Sequence, residues 1–154
     1  MEFVDLKAQY RELKESVDAR IHRVLEHGQY IMGPEVRELE QKLSAFCGAK
    51  RTLACSNGTD ALGLALRAMD VKAGDAVFVP TFTFAATAEV VAWLGATPVF
   101  VDVLPDSFNL DPASLEAGIA TARRHGLKPA AVIDRKSTRL NSSHIQKSRM
   151  PSSA

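Results

Sequence analysis

The chain has 154 residues, 46% of them hydrophobic, which is enough for a domain with a sizeable core. Its 19 basic and 18 acidic residues nearly balance, no apolar run reaches the length of a spanning helix, and the start lacks the basic and apolar parts of a secretion signal. No membrane or nucleic-acid partner is expected. Cys47 and Cys55 offer neither a disulfide framework nor metal-ligand spacing, so a reducing, cytoplasmic setting without a metal is expected.

The predicted elements begin with a helix. Leu6, Tyr10, Leu13, Val17, Ile21 and Val24 recur at steps of three and four, forming one apolar stripe along residues 6–27. Asp5 is placed to cap its start and Gly28 to end it. The linker from Gly28 to Gly33 then leads to Pro34, which suits the first turn of a second helix. That helix carries the stripe Val36, Leu39, Leu43 and Phe46 and stops at Gly48. Tyr30 and Ile31 sit on the linker, where they either border a ligand pocket or pin the loop to the core.

An apolar strand is expected at Thr52-Leu53-Ala54-Cys55, joined through Ser56-Asn57-Gly58-Thr59-Asp60 to a helix rich in Ala and Leu. The free N–H groups and partial positive charge of a helix start bind a phosphate through the backbone, and Gly58 lets that backbone come close. For this stretch alone, an ordinary capped turn is the alternative. The turn lacks the lysine of a Walker loop and the spaced glycines of a dinucleotide fingerprint.

Further strands at 76–79, 98–101 and 130–133 alternate with helices from about Thr83 to Leu94 and from Pro112, capped by Asp111, to Arg124. The strands are apolar on both faces, which predicts a parallel sheet covered by helices on both sides, with ligands at the strands' carboxyl ends. Ser56 to Asp60 and Pro80-Thr81-Phe82-Thr83-Phe84 both fall at such ends. A phosphate held by amides and hydroxyls near Phe84 or Phe82 suits a flat phosphorylated ring. Trp93 is expected in the core. For Asp102, a turn or cap role stands beside reach into the pocket.

After Ile133 the pattern stops. Asp134 to Ala154 is rich in Ser and basic residues and resembles a translated sequencing adapter. It is therefore set aside from the fold as a non-native, disordered tail. Without it the chain has 14 Lys/Arg against 17 Asp/Glu, a net of −3, and the reading of a basic nucleic-acid arm loses its basis.

Five ordered motifs carry a family resemblance: Phe3-Val4-Asp5-Leu6, Gly28 to Val36, Ser56 to Leu62, Val79 to Ala88, and Gly95 to Asp102. Together they are similar to the N-terminal part of the DegT/StrS-type sugar aminotransferases, over Phe3 to Ile133. The resemblance implies an incomplete part of a fold-type-I, aspartate-aminotransferase-like α/β large domain, with a parallel-rich sheet flanked by helices. Residues 1–48 would be a helical segment of that domain, 49–133 its partial cofactor-binding part, and 134–154 the tail.

The implied cofactor is pyridoxal 5′-phosphate. Gly58, Thr59 and Asp60 match the positions that hold its phosphate, Phe84 the aromatic that stacks on its ring, and Tyr30 and Ile31 the substrate loop. The implied reaction moves an amino group, with glutamate as donor, to a keto sugar linked to a nucleotide, in a homodimer. None of Lys7, Lys14, Lys42, Lys50, Lys72 and Lys128 lies in a motif like the family's Schiff-base site, so no catalytic residue is assigned and these residues alone are expected to be inactive. A sugar dehydratase of the same family remains an alternative, as does a non-catalytic binding or regulatory module.

Overall fold

Asp5 accepts a hydrogen bond from the Ala8 amide at 2.8 Å, and Gly28, at φ 67°, donates its amide to the Val24 carbonyl. Helix α1 (Leu6–His27) therefore starts and stops on the residues expected to cap it. Helix α2 (Pro34–Cys47) likewise opens on a proline and closes on Gly48 at φ 65°. Between them, a Cβ at Gly33 would lie 2.4 Å from the Gln29 carbonyl oxygen, so only glycine fits where the loop folds back. Met32 beside it adopts φ 51°, uncommon for a long side chain.

The computed structural model describes residues 5–134. Phe3 and Val4 of the first motif lie outside the described residues, as does the expected disordered tail from Arg135 onward. The chain forms two compact units, one up to Ala54 and the other from Cys55.

In the first unit, ion pairs and one histidine–carboxylate hydrogen bond join the two helices. Arg23 Nε lies 3.0 Å from Glu35 Oε1, His27 Nε2 lies 3.1 Å from Glu35 Oε2, and both Arg20 and Arg23 reach Glu38. No residue of either helix is buried, and Leu6, Leu13 and Ile21 of the predicted stripe are exposed. The expected strand at Thr52–Cys55 does not form. Its Ala54 amide donates instead to Glu40 Oε1 at 2.8 Å, and no strand pairs with it among the described residues.

The second unit contains α3 (Gly58–Ala68), β1 (Asp75–Pro80), α4 (Ala86–Trp93), β2 (Thr97–Val101), α5 (Pro112–Arg124) and β3 (Lys128–Val132). The strands form one parallel sheet in the order β2-β1-β3, with Phe78 opposite Val99 on one side and Val132 on the other. Every residue of β1 is buried, as a central parallel strand requires.

Alternation along β1 divides the core into two layers. Val77 and Val79 pack with Leu66 of α3 and Val90 and Val91 of α4, whereas Ala76 and Phe78 pack with Val101 and with Ala122 of α5. Helices thus cover both faces, as the apolar strands predicted. Gly118 of α5 lies so close that a Cβ there would touch the Phe78 ring at 3.5 Å. Two further expectations need correction. Helix α4 begins at Ala86 rather than near Thr83, because the chain first bends off the end of β1. Trp93 is 64% exposed, because Ala86, Thr87, Val90 and Val91 form the buried side of α4.

Candidate functional site

The start of α3 is a braced turn. Asn57, in extended conformation, caps the helix by accepting from the Asp60 amide at 2.9 Å. Asn57 Nδ2 donates to the Asp60 carboxylate at 3.2 Å, and Ser56 Oγ donates to the same oxygen. The Asp60 carboxylate thus accepts from two donors of its own turn. The Gly58 and Thr59 amides, by contrast, have no acceptor among the described residues. A Cβ built on Gly58 would meet nothing within 4 Å.

Short connections place this turn. Residues 69–74 link α3 to β1, and residues 81–85 link β1 to α4, which packs on α3. Both helix starts therefore come to the carboxyl edge of β1, where open α/β sheets bind ligands. Phe84 lies just before α4. Its carbonyl accepts from the Thr87 amide at 2.9 Å, and the residue is 64% exposed. Thr87 is itself fully buried and bonds through Oγ1 to Thr83 Oγ1 at 2.9 Å, which fixes the turn that presents Phe84.

Asp102, at the end of β2, takes a turn role. One carboxylate oxygen accepts from the Val103 amide at 2.8 Å and from Thr81 Oγ1 at 3.4 Å. Phe82 pairs with Phe108 at a centroid distance of 5.4 Å. Tyr30 and Ile31 belong to the first unit, on the loop between α1 and α2, and are 67% and 90% exposed. Sequence reasoning included Ser56 and Asn57 in the cradle turn but assigned the phosphate only to Gly58, Thr59 and Asp60 and did not foresee the brace. The available signal was a capping residue three positions before an acidic one, ahead of an apolar run.

Among the described residues no group of His, Cys, Asp and Glu is placed to hold a metal, and no helix is long and apolar enough to cross a membrane. Both cysteines are free and exposed.

The family model for DegT/DnrJ/EryC1/StrS aminotransferases matches residues 11–133. The chain belongs to this family. A relative of this DegT-family chain, the UDP-2-acetamido-2-deoxy-3-oxo-D-glucuronate aminotransferase of Pseudomonas aeruginosa, is 53% identical over 132 residues, which span 86% of this chain and 36% of the relative.

The crystal structure of a DegT/DnrJ/EryC1/StrS aminotransferase from Brucella abortus superposes with a TM-score of 0.81 at 51% identity, over 87% of this chain and 36% of that one. The PLP form of Spr1654 from Streptococcus pneumoniae gives a TM-score of 0.60 at 37% identity, over 66% of this chain and 27% of that one. The DegT-family chain thus spans about a third of the length of the relatives it matches. Its partial α/β fold is the fold-type-I aminotransferase architecture expected from the motifs.

Proposed function

We propose that the chain is the N-terminal part of a pyridoxal-phosphate-dependent aminotransferase acting on a nucleotide-linked keto sugar, with glutamate as amino donor. The observation that carries this reading is the pair of open amides at Gly58 and Thr59, braced by Asn57 and Asp60, at the same sheet edge as an exposed Phe84. Membership of an aminotransferase family, and a relative that acts on a 3-oxo UDP sugar, support the substrate class.

The donor set fits the cofactor's phosphate. Two backbone N–H groups at the positive end of a helix, with the Thr59 hydroxyl, complement an anion, and the one nearby carboxylate is already satisfied by Ser56 and Asn57. Asp60 in this reading shapes the cradle, and Gly58 and Thr59 touch the phosphate. Phe84 would supply the aromatic face that covers the pyridine ring and keeps water from it. When bound, the cofactor supplies the electron sink that lets an amino group pass between amino acid and keto sugar. Tyr30 and Ile31 border the sugar, within a homodimer in the cytoplasm. Residues 1–48 and 49–133 serve as the helical and cofactor-binding parts of one domain, with 134–154 a non-native tail. The 154 residues alone perform no amino transfer.

Pyridoxamine 5′-phosphate, which has no aldehyde to react with surface lysines, provides the test. The chain is expected to bind it saturably, and Phe84→Ala, which removes the stacking ring, and Gly58→Pro, which removes the Gly58 N–H, are each expected to weaken binding about ten-fold. Neither variant should lower the thermal midpoint, since Phe84 is 64% exposed and proline suits the first helical position that Gly58 holds. Equal binding by both variants, or by pyridoxamine lacking the phosphate, would overturn the assignment. Amino transfer by the 154 residues would overturn their inactivity.

A further inference from the structure

We propose that the groove between α2 and the segment 50–53, in the first unit, is a binding site for a diphosphate group. The groove has a volume of about 430 Å³ and is lined by Arg37, Glu40, Gln41 and Ser44 of α2, and by Lys50, Arg51, Thr52 and Leu53 opposite. That volume lies in the range of small-molecule sites. The site goes beyond the aminotransferase reading and does not rest on it.

Two hydrogen bonds build the groove. Glu40 Oε1 accepts from the Ala54 amide at 2.8 Å, and Ser44 Oγ donates to Thr52 Oγ1 at 2.9 Å. Because Glu40 and Ser44 lie one helical turn apart on one face of α2, these bonds hold the facing segment alongside the helix. Gly48, left-handed at φ 65°, turns the chain back to make that possible.

The charge of the groove is uneven. Arg20, Arg23 and Lys42 of the same unit are paired with Glu35 or Glu38. Arg37, Lys50 and Arg51 have no ion-pair partner among the described residues, and they converge on one groove. The one acidic lining residue, Glu40, is turned to a backbone amide. The excess positive charge is fixed on a framework held by hydrogen bonds. Guanidinium forks match phosphate oxygens in pairs, and a diphosphate offers two such groups in a row to the three cations. The diphosphate comes either from a nucleoside diphosphate or from inorganic pyrophosphate.

Amide NMR of the full chain titrated with inorganic pyrophosphate, then with ADP, tests the site. The expected result is a saturable shift of the amides in residues 37–53, separable from any shift at Gly58 and Thr59 that reports the turn before α3. Similar affinity for both probes would assign the diphosphate alone as the ligand, and tighter ADP binding would assign a nucleotide; both support the site. The double variant Arg37→Gln, Arg51→Gln is expected to lose about ten-fold in affinity, as befits lost charge-assisted hydrogen bonds. Arg37→Lys with Arg51→Lys should retain most of the binding. Lys7→Gln with Arg11→Gln, which removes two exposed cations of α1, should change nothing. The proposal is overturned if residues 37–53 do not shift, or if the α1 control loses as much as the groove variant.

Discussion

Asn57 and Asp60 hold each other across the first turn of α3. Asn57 Oδ1 accepts from the Asp60 amide at 2.9 Å, and Asn57 Nδ2 donates back to the Asp60 carboxylate at 3.2 Å. The exchange satisfies one amide of the helix start and leaves the two before it open.

The first prediction concerns that exchange. Asn57→Ala is expected to lower stability by about 1 kcal/mol, the usual cost of a lost cap, read as a shift of the urea midpoint. It should also weaken pyridoxamine 5′-phosphate binding, because the open amides lose their fixed direction. Asn57→Ser, which keeps an acceptor for the Asp60 amide, should restore most of both. If the alanine variant unfolds at the same urea concentration and binds as well, the brace has no role.

A second prediction concerns pH and the pairing of α1 with α2. At Glu35, burial works to raise the carboxyl, but its own backbone hydrogen bond, the His27 ring and the Arg23 charge outweigh it and leave the group below its usual value. Glu38 is lowered by its hydrogen bond and attraction to Lys42, with Arg20 adding to the effect. A carboxyl with a lowered folded pKa binds fewer protons folded than unfolded. The stability it contributes is therefore present above the ordinary carboxylate range and is lost as pH falls through the lowered values. Helical circular dichroism should show loosening on acidification in that window, with added salt weakening the pairing at neutral pH. Glu35→Gln with Glu38→Gln should reduce the acid dependence; an unchanged acid profile would rule these pairs out as its source.

The third prediction sets two touching residues against each other. Phe78 is fully buried between strands and α5, and Phe78→Ala is expected to cost about 3–5 kcal/mol. Gly118 faces the same ring, and a Cβ there meets it at 3.5 Å, an ordinary contact. Gly118→Ala should therefore stabilise by up to about 1 kcal/mol through helix propensity. Urea unfolding of the two variants measures both signs, and destabilisation by Gly118→Ala would show that α5 packs more tightly on the sheet than this distance allows.

Local chemistry was legible wherever neighbours in sequence decide the outcome. Asp5, Gly28, Pro34, Gly48 and Asp111 all cap or open helices as their residue types predict, since each acts within four residues of itself. The continuous apolar run of β1 announced a strand covered on both faces, and it is one. Thr52 to Cys55 has the composition of a strand, yet a strand exists only with a partner, and the Ala54 amide found a glutamate instead. Trp93 has the bulk of a core residue, but its place on α4 turns it away from Val90 and Val91.

The sequence by itself determined the family, the succession of helices and strands apart from Thr52 to Cys55, and the turn from Ser56 to Asp60, because motifs and caps are written in consecutive residues. Only the tertiary structure decided that Asp60 is held by Ser56 and Asn57 while the amides of Gly58 and Thr59 stay open. It alone gathered the unpaired Arg37, Lys50 and Arg51 around one groove. The physical reason is the same in both cases: hydrogen bonds and charges are satisfied by whatever the fold brings within a few ångströms, and a sequence lists the groups without saying which of them will meet.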